Sequence, residues 1–111
     1  MSELDVVTFL RLADETLERV ANWLETFDPD EVDFDTSDGV VSLEFADGAK
    51  YILNRQRGTS QMWYAAGVRA WHYDWNDTTA NWLDDRDGHE LLENVRRTVK
   101  DKLGRDVDPI G

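Results

Sequence analysis

The chain has no cysteine, which removes disulfides, thiolate metal ligands and cysteine nucleophiles from consideration. Its two histidines, His72 and His89, are too few and too scattered for a histidine-based metal site. No stretch approaches the roughly 20 consecutive apolar residues that a membrane span needs. Met1 leads into Ser-Glu-Leu-Asp rather than into a basic segment and an apolar run, so the expected setting is the cytoplasm, with no membrane contact. A Gly-rich phosphate loop, a Ser-His-Asp order and a His-Glu-x-x-His signature are all missing, which argues against a conventional enzyme and leaves no catalytic residues to name. Most telling is the shortage of positive charge in the first 48 residues, where Arg11 and Arg19 stand against 14 acidic groups. From Ala49 onward, 10 acidic and 10 basic groups balance, so the first stretch carries the whole net charge of -12. Nucleic-acid affinity comes mainly from phosphate neutralisation by Lys and Arg, so this half repels nucleic acid. It attracts cations or a basic protein surface instead.

What is present points to one small domain over residues 1–111, with five Trp, four Phe and three Tyr to fill its core. Phe9, Leu12, Ala13, Thr16, Val20, Leu24 and Phe27 recur at spacings of three and four, which predicts a helix from about residue 5 to about residue 27. At about 100° per residue, Asp14, Glu18 and Glu25 fall within about 40° of one another on the opposite face and form an acidic ridge. Asp28-Pro29-Asp30 is expected to end that helix. From Val32 the period becomes two: Val32 and Phe34 alternate with Asp33 and Asp35, and Val41, Leu43 and Phe45 with Ser42 and Glu44. Ser37-Asp38-Gly39 and Ala46-Asp47-Gly48 read as short turns of an antiparallel meander. Further strands are predicted near 50–56, 61–66, 69–75 and 79–84. Asp87-Gly88 is expected to open a closing helix with the stripe Leu91, Leu92, Val95, Val99 and Leu103, and with His89 in its first turn. The fold class is therefore α+β, a sandwich with two helices packed on one face of an antiparallel sheet of about five to six strands.

Alternation also says what the free face of such a sheet carries. Trp71, Tyr73 and Trp75 are assigned to the core, which puts His72 and Asp74 outside. Asn54 and Gln56 share one side of their strand, as do Gln61 and Trp63 of the next. If these strands are neighbours, Asn54, Gln56, Gln61, Trp63 and His72 form a patch with an exposed Trp among amide side chains, a composition suited to an interface. The bland alternatives are an acidic helix face that is simply solvated and a Trp covered by a loop. Asp84, Asp85 and Asp87 near Arg86 are read as holding a turn together.

At these residues the chain resembles a known family. The run NRQRGTSQMW from Asn54 to Trp63, WHYDW from Trp71 and NWLDDRDG from Asn81 are similar to the frataxin family in its bacterial form, known as CyaY. The likeness runs from about Phe9 through Leu103 and includes the acidic first helix and strand. It implies a frataxin-like fold and an iron-binding accessory protein of iron-sulfur cluster assembly, an iron donor and regulator of the cysteine desulfurase with at most weak ferroxidase activity. Fe2+ or Fe3+ would be held weakly and exchangeably by Asp14, Glu25, Asp28, Glu31 and Asp33. Glu18, Asp30 and Asp35 on the same stretch complete the candidate metal ligands. Asn54, Gln56, Gln61 and Trp63, with His72 beside them, would dock on the cysteine desulfurase and the iron-sulfur scaffold protein. The expected state is a monomer, with iron-driven oligomers possible. Departures from the family pattern are Leu10, Ala21 and Asn22 where relatives carry ligands, Gly58 in place of a loop proline, and about three residues fewer between Gly88 and His89. An alternative of another class is an acidic adaptor that docks on a basic partner and binds metal only incidentally. A binder of single-stranded nucleic acid ranks last, because its basic groove is missing.

Overall fold

The computed structural model describes residues 4–111. Helix α1 (Val6–Leu24) is followed by six strands, β1 (Val32–Ser37), β2 (Val40–Phe45), β3 (Lys50–Gln56), β4 (Gln61–Ala66), β5 (Arg69–Asn76) and β6 (Asn81–Asp84), and by helix α2 (Leu91–Leu103). The strands form one sheet in chain order, every neighbouring pair antiparallel. This is the α+β arrangement the periodicities predict. Among the described residues no helix is long and apolar enough to cross a membrane.

Helix α1 starts where Asp5 accepts a hydrogen bond from the Thr8 backbone N–H (2.8 Å), a carboxylate cap on an orphan donor. It ends earlier than predicted. The Thr26 and Phe27 N–H groups bond the Trp23 and Leu24 carbonyls, which tightens the chain into a turn before Pro29 is reached. The buried stripe is Phe9, Ala13, Thr16, Leu17, Val20, Trp23 and Leu24, so Leu17 and Trp23 join it while Leu12 and Phe27 stay at its margin. Thr16, half-apolar in the pattern, fits there because its hydroxyl donates to the Leu12 carbonyl and accepts from Trp82 Nε1 (both 2.9 Å).

Both helices cover the same face of the sheet. Phe9 of α1 meets Trp82 of β6 edge-on with ring centroids 6.0 Å apart, and Asn94 of α2 donates to the Tyr73 hydroxyl of β5 (2.8 Å). That face carries the fully buried Leu43, Leu53, Met62, Tyr64 and Tyr73, drawn from alternate positions of the four central strands, with two from β4. Trp75 faces the core side as predicted but packs at its margin, against the buried Trp82 (ring centroids 5.3 Å apart). It lies near the end of β5, half-buried, with its Nε1 turned out to Asp77 (2.8 Å). Strand β6 begins at Asn81, not 79, because Asn76 and Asn81 take Thr79 into the connecting turn and Ala80 sits at φ 56°.

The closing helix also starts later than the sequence suggests. Asp84 Oδ2 accepts the backbone N–H groups of Arg86 and Asp87 (2.9 Å each), so this cluster of acids does hold a turn. Gly88, at φ 78°, cannot lie inside a right-handed helix. Glu90 pairs back to Leu83 and caps α2 through the N–H groups of Leu92 and Glu93. His89 is therefore in the connection before the helix. Beyond Gly104 the chain folds back on α1: Trp23 Nε1 donates to the Asp108 carbonyl (2.9 Å), Arg19 Nε to that of Gly111 (3.0 Å), and Val107 is buried.

Candidate functional site

The strand register builds the free face of the sheet. Across the sheet Val40, Asn54, Trp63 and His72 form one row, and Gln56 and Gln61 stand beside one another in the next. The five residues proposed as a patch are thus contiguous, which alternation alone could not guarantee. Trp63 lies flat on the His72 ring, with centroids 4.3 Å apart and 16° between planes. Its Nε1 donates to Gln61 Oε1 (3.0 Å), and Gln61 Nε2 donates to Asp74 Oδ1 (3.1 Å) and Asp85 Oδ2 (3.3 Å). His72 Nδ1 is 4.0 Å from Asp85 Oδ2. Asn54 uses its amide nitrogen on the Arg55 carbonyl (3.2 Å). The Trp expected to be exposed is in fact half-buried, because stacking and the Gln61 contact shield one side of the indole. Its other side remains open. One row along the same strands, β3 to β5, this face carries Ile52, 40% exposed, with Ala65 and Ala70 beside it.

The predicted acidic ridge divides between two surfaces. Asp14 and Glu18 project from α1 into a cleft of about 330 Å³ between that helix and the β1–β2 hairpin, where Asp38 joins them. Asp33 and Asp35 point to the opposite, helix-free side of the edge strand β1. Asp33 stands directly across from Glu44, with Lys50 next in that row. Like charges opposite one another are unfavourable, and Lys50 offsets them. Glu25 is the C-terminal cap of α1, and Asp28, Asp30 and Glu31 occupy the turn that leads to β1; Asp28 Oδ1 accepts the Asp30 N–H (2.9 Å).

Two of the eight candidate ligands are already in ion pairs. Asp14 pairs with Arg55 (2.5 Å), which also reaches Asp38 (3.1 Å). Glu31 pairs with Arg105 through both carboxylate oxygens (2.5 and 3.0 Å), and that guanidinium holds its carboxyl below the usual glutamate range. Glu18, Glu25, Asp28, Asp30, Asp33 and Asp35 are exposed and solvated. Among the described residues, none of the eight belongs to a set of three carboxylate or imidazole groups close enough to share one ion. The stretch is an extended anionic field, able to attract a cation and let it go, rather than a preformed cage.

The sequence reading passed over Arg55 and Asp38. Alternation across Asn54-Arg55-Gln56 was the available signal, since it turns the middle residue inward while its neighbours face out. Arg55 fills that place under the β1–β2 turn. A Cβ on Gly39, itself at φ 77°, would come 3.0 Å from the Arg55 Cζ, so this glycine serves both the turn and the close approach.

Comparison with known proteins agrees with this geometry. Residues 2–105 match the family described as Frataxin-like domain. The chain is 35% identical over 102 residues to the iron-sulfur cluster assembly protein CyaY of Thioalkalivibrio sulfidiphilus, covering 91% of this chain and 95% of that one. To the protein of the same name from Psychromonas ingrahamii it is 37% identical over 100 residues, covering 90% and 92%. Among solved structures, the frataxin of Psychromonas ingrahamii superposes with a TM-score of 0.84 at 30% identity over 95% of this chain and 97% of that one. A trimeric frataxin from the yeast Saccharomyces cerevisiae, complexed with ferrous iron, shares the fold with a TM-score of 0.73 at 23% identity, over 95% and 91%. With the fold, the Asn-Arg-Gln and Gln-x-Trp strands and the acidic first helix all in place, the chain belongs to the frataxin family.

Proposed function

We propose that this protein is an iron-binding accessory factor of iron-sulfur cluster assembly, which delivers iron to the machinery and regulates the cysteine desulfurase. The observation that carries the proposal is the helix-free sheet face, where Asn54, Gln56, Gln61, Trp63 and His72 are contiguous and partly exposed. Asp33 and Asp35 lie on the same side at the sheet edge. One partner surface can therefore reach the aromatic patch and the acidic edge together. The names of the relatives, iron-sulfur cluster assembly proteins, supply the pathway, and the ferrous complex of the yeast protein supplies the cargo.

Iron is cargo on this reading. Solvated carboxylates bind Fe2+ or Fe3+ through oxygen without fixing geometry, so the ion is held weakly and can be handed on. The cysteine desulfurase and the scaffold protein are the partners. The test is a titration of immobilised desulfurase and scaffold with the wild type and with Trp63→Ala, with and without ferrous iron. Retained binding by the Trp63 variant would refute the docking face.

A second reading has its own support. Two of the eight acids are engaged by arginines and, among the described residues, none belongs to a three-group cluster, which suits an acidic adaptor that recognises a basic surface with metal incidental. Docking that is sensitive to salt but indifferent to a chelator would favour the adaptor. Docking that a chelator abolishes would favour the iron carrier.

A further inference from the structure

Asp84 ends β6 on the helix-covered side of the sheet, directly across from Tyr73, and is only 6% exposed. Its Oδ2 is satisfied by the two backbone N–H groups of the following turn. Its Oδ1 is buried and has no partner, alone in this among side-chain polar atoms of the described residues. A buried acceptor without a donor carries a desolvation cost, and in native proteins such an atom commonly marks a place for water or an ion.

Two further ligands stand next to it. Asp87 Oδ1 is 2.5 Å from His89 Nδ1 and also accepts the His89 backbone N–H (3.0 Å). His89 Nε2 is bonded to the Tyr73 hydroxyl (2.7 Å), which Asn94 anchors from α2. The far nitrogen of the ring is thus fixed by a hydrogen bond, as it is for histidines that bind metal through the other nitrogen. Asp84, Asp87 and His89 each bring a ligand atom within 4.8 Å of the other two. Ligand atoms about 2.0–2.2 Å from one ion can be no more than about 4.4 Å apart, so a small rotation of the exposed Asp87 side chain closes the set. A cleft of about 430 Å³ lined by Asp84, Asp87, Ala70 and Trp71 gives access. Two arginines share that cleft and are held on its wall: Arg86 donates to the Ala70 carbonyl (3.1 Å), and Arg69 lies over the Trp71 ring.

We propose that Asp84, Asp87 and His89 form a site for a divalent first-row transition ion at the corner between β6 and α2. Two carboxylates and one imidazole suit Fe2+, Mn2+, Co2+ or Zn2+. The imidazole discriminates against Mg2+ and Ca2+, and the lack of thiolate against Cu+. The ion enters as the Asp87–His89 hydrogen bond opens and takes the Nδ1 lone pair; the ring proton held at Nδ1 toward Asp87 is exchanged through solvent to Nε2, which then donates to the Tyr73 hydroxyl, so the ring stays neutral. This site is separate from the acidic stretch and does not depend on the iron-carrier reading.

The test is titration of the full chain with Zn2+, followed by the ring 15N resonances, of which His72 and His89 contribute the full complement. Zinc should move the His89 Nδ1 resonance to a metal-bound position, give Nε2 the resonance of a protonated ring nitrogen and spare His72. Asp87→Asn keeps an oxygen for the His89 N–H and lies on an exposed side chain. It should weaken zinc binding at His89 by about tenfold or more, a loss that removal of an outer-shell partner alone can produce. Glu18→Gln with Glu25→Gln should leave the His89 response intact. An unresponsive His89 ring while amides of the acidic stretch respond to zinc would overturn the proposal. So would an Asp87→Asn protein that binds zinc at His89 like the wild type.

Discussion

Truncating Trp63 to Ala separates the roles of packing and docking, because the structure fixes what that side chain can contribute to each. On the folded side it loses the stack on His72, worth about 0.5–1.5 kcal/mol beyond area burial for an aromatic pair. It also loses the Gln61 hydrogen bond, whose net value is about 1 kcal/mol and smaller here because water can reach Gln61. No closed cavity follows, since the outer side of the indole faces solvent. The expected destabilisation is therefore about 1–2 kcal/mol, somewhat more than a fully exposed Trp would give. Trp82 provides the internal standard: it is 2% exposed and bonded to Thr16, so Trp82→Ala should cost about 3–5 kcal/mol. Urea melts of both variants beside a binding titration with the desulfurase and scaffold measure both quantities. If Trp63 anchors the interface, binding should weaken by about 2 kcal/mol, roughly 30-fold. A Trp63 variant as unstable as the Trp82 variant would place the ring functionally in the core. One of unchanged affinity would refute the docking argument.

Other outcomes follow from the charges. Reversal of Glu18, Glu25 and Asp28 to Lys should lower both iron uptake and the association rate with a basic desulfurase surface, whereas Trp63→Ala should spare iron; equal iron loss in both, measured by calorimetry, would show the surfaces to be wrongly divided. Added salt or divalent ions should raise the melting temperature by relieving self-repulsion in the acidic half, and a flat calorimetric salt series would refute crowding. Glu31 is held below its ordinary value of 4.5, chiefly by its hydrogen bond to Arg105. A depressed carboxyl stabilises the fold above the unfolded value, and that contribution is lost as pH falls below about 4.5 through the folded value. Glu31→Gln should therefore show a shallower loss of melting temperature below that pH than the wild type; identical acid profiles would remove the pair from the account.

The sequence alone determined the element order and most of the side chains that face the core, since periods of 3.6 and two are local properties. Those periods found α1, the β2, β3 and β4 strands and the outward side of Asn54, Gln56, Gln61 and Trp63. Charge segregation between the two halves was equally legible, because it needs no geometry. Tertiary structure decided the rest. Whether the outward residues touch depends on register, which the pairing of β3, β4 and β5 fixed by aligning Asn54, Trp63 and His72. Whether an acidic residue is free depends on partners far along the chain: Arg55 reaches Asp14 from 41 residues away and Arg105 reaches Glu31 from 74. Helix phase placed Asp14, Glu18 and Glu25 on one side, yet the sheet turned Asp33 and Asp35 to the other, so a single run of acids became two surfaces. The late start of α2 was also beyond local reading, because Glu90 takes the cap only once it has paired with Leu83 across the turn. Burial of one Asp84 oxygen beside His89 arises the same way, from a strand end, a turn and a helix converging on one corner.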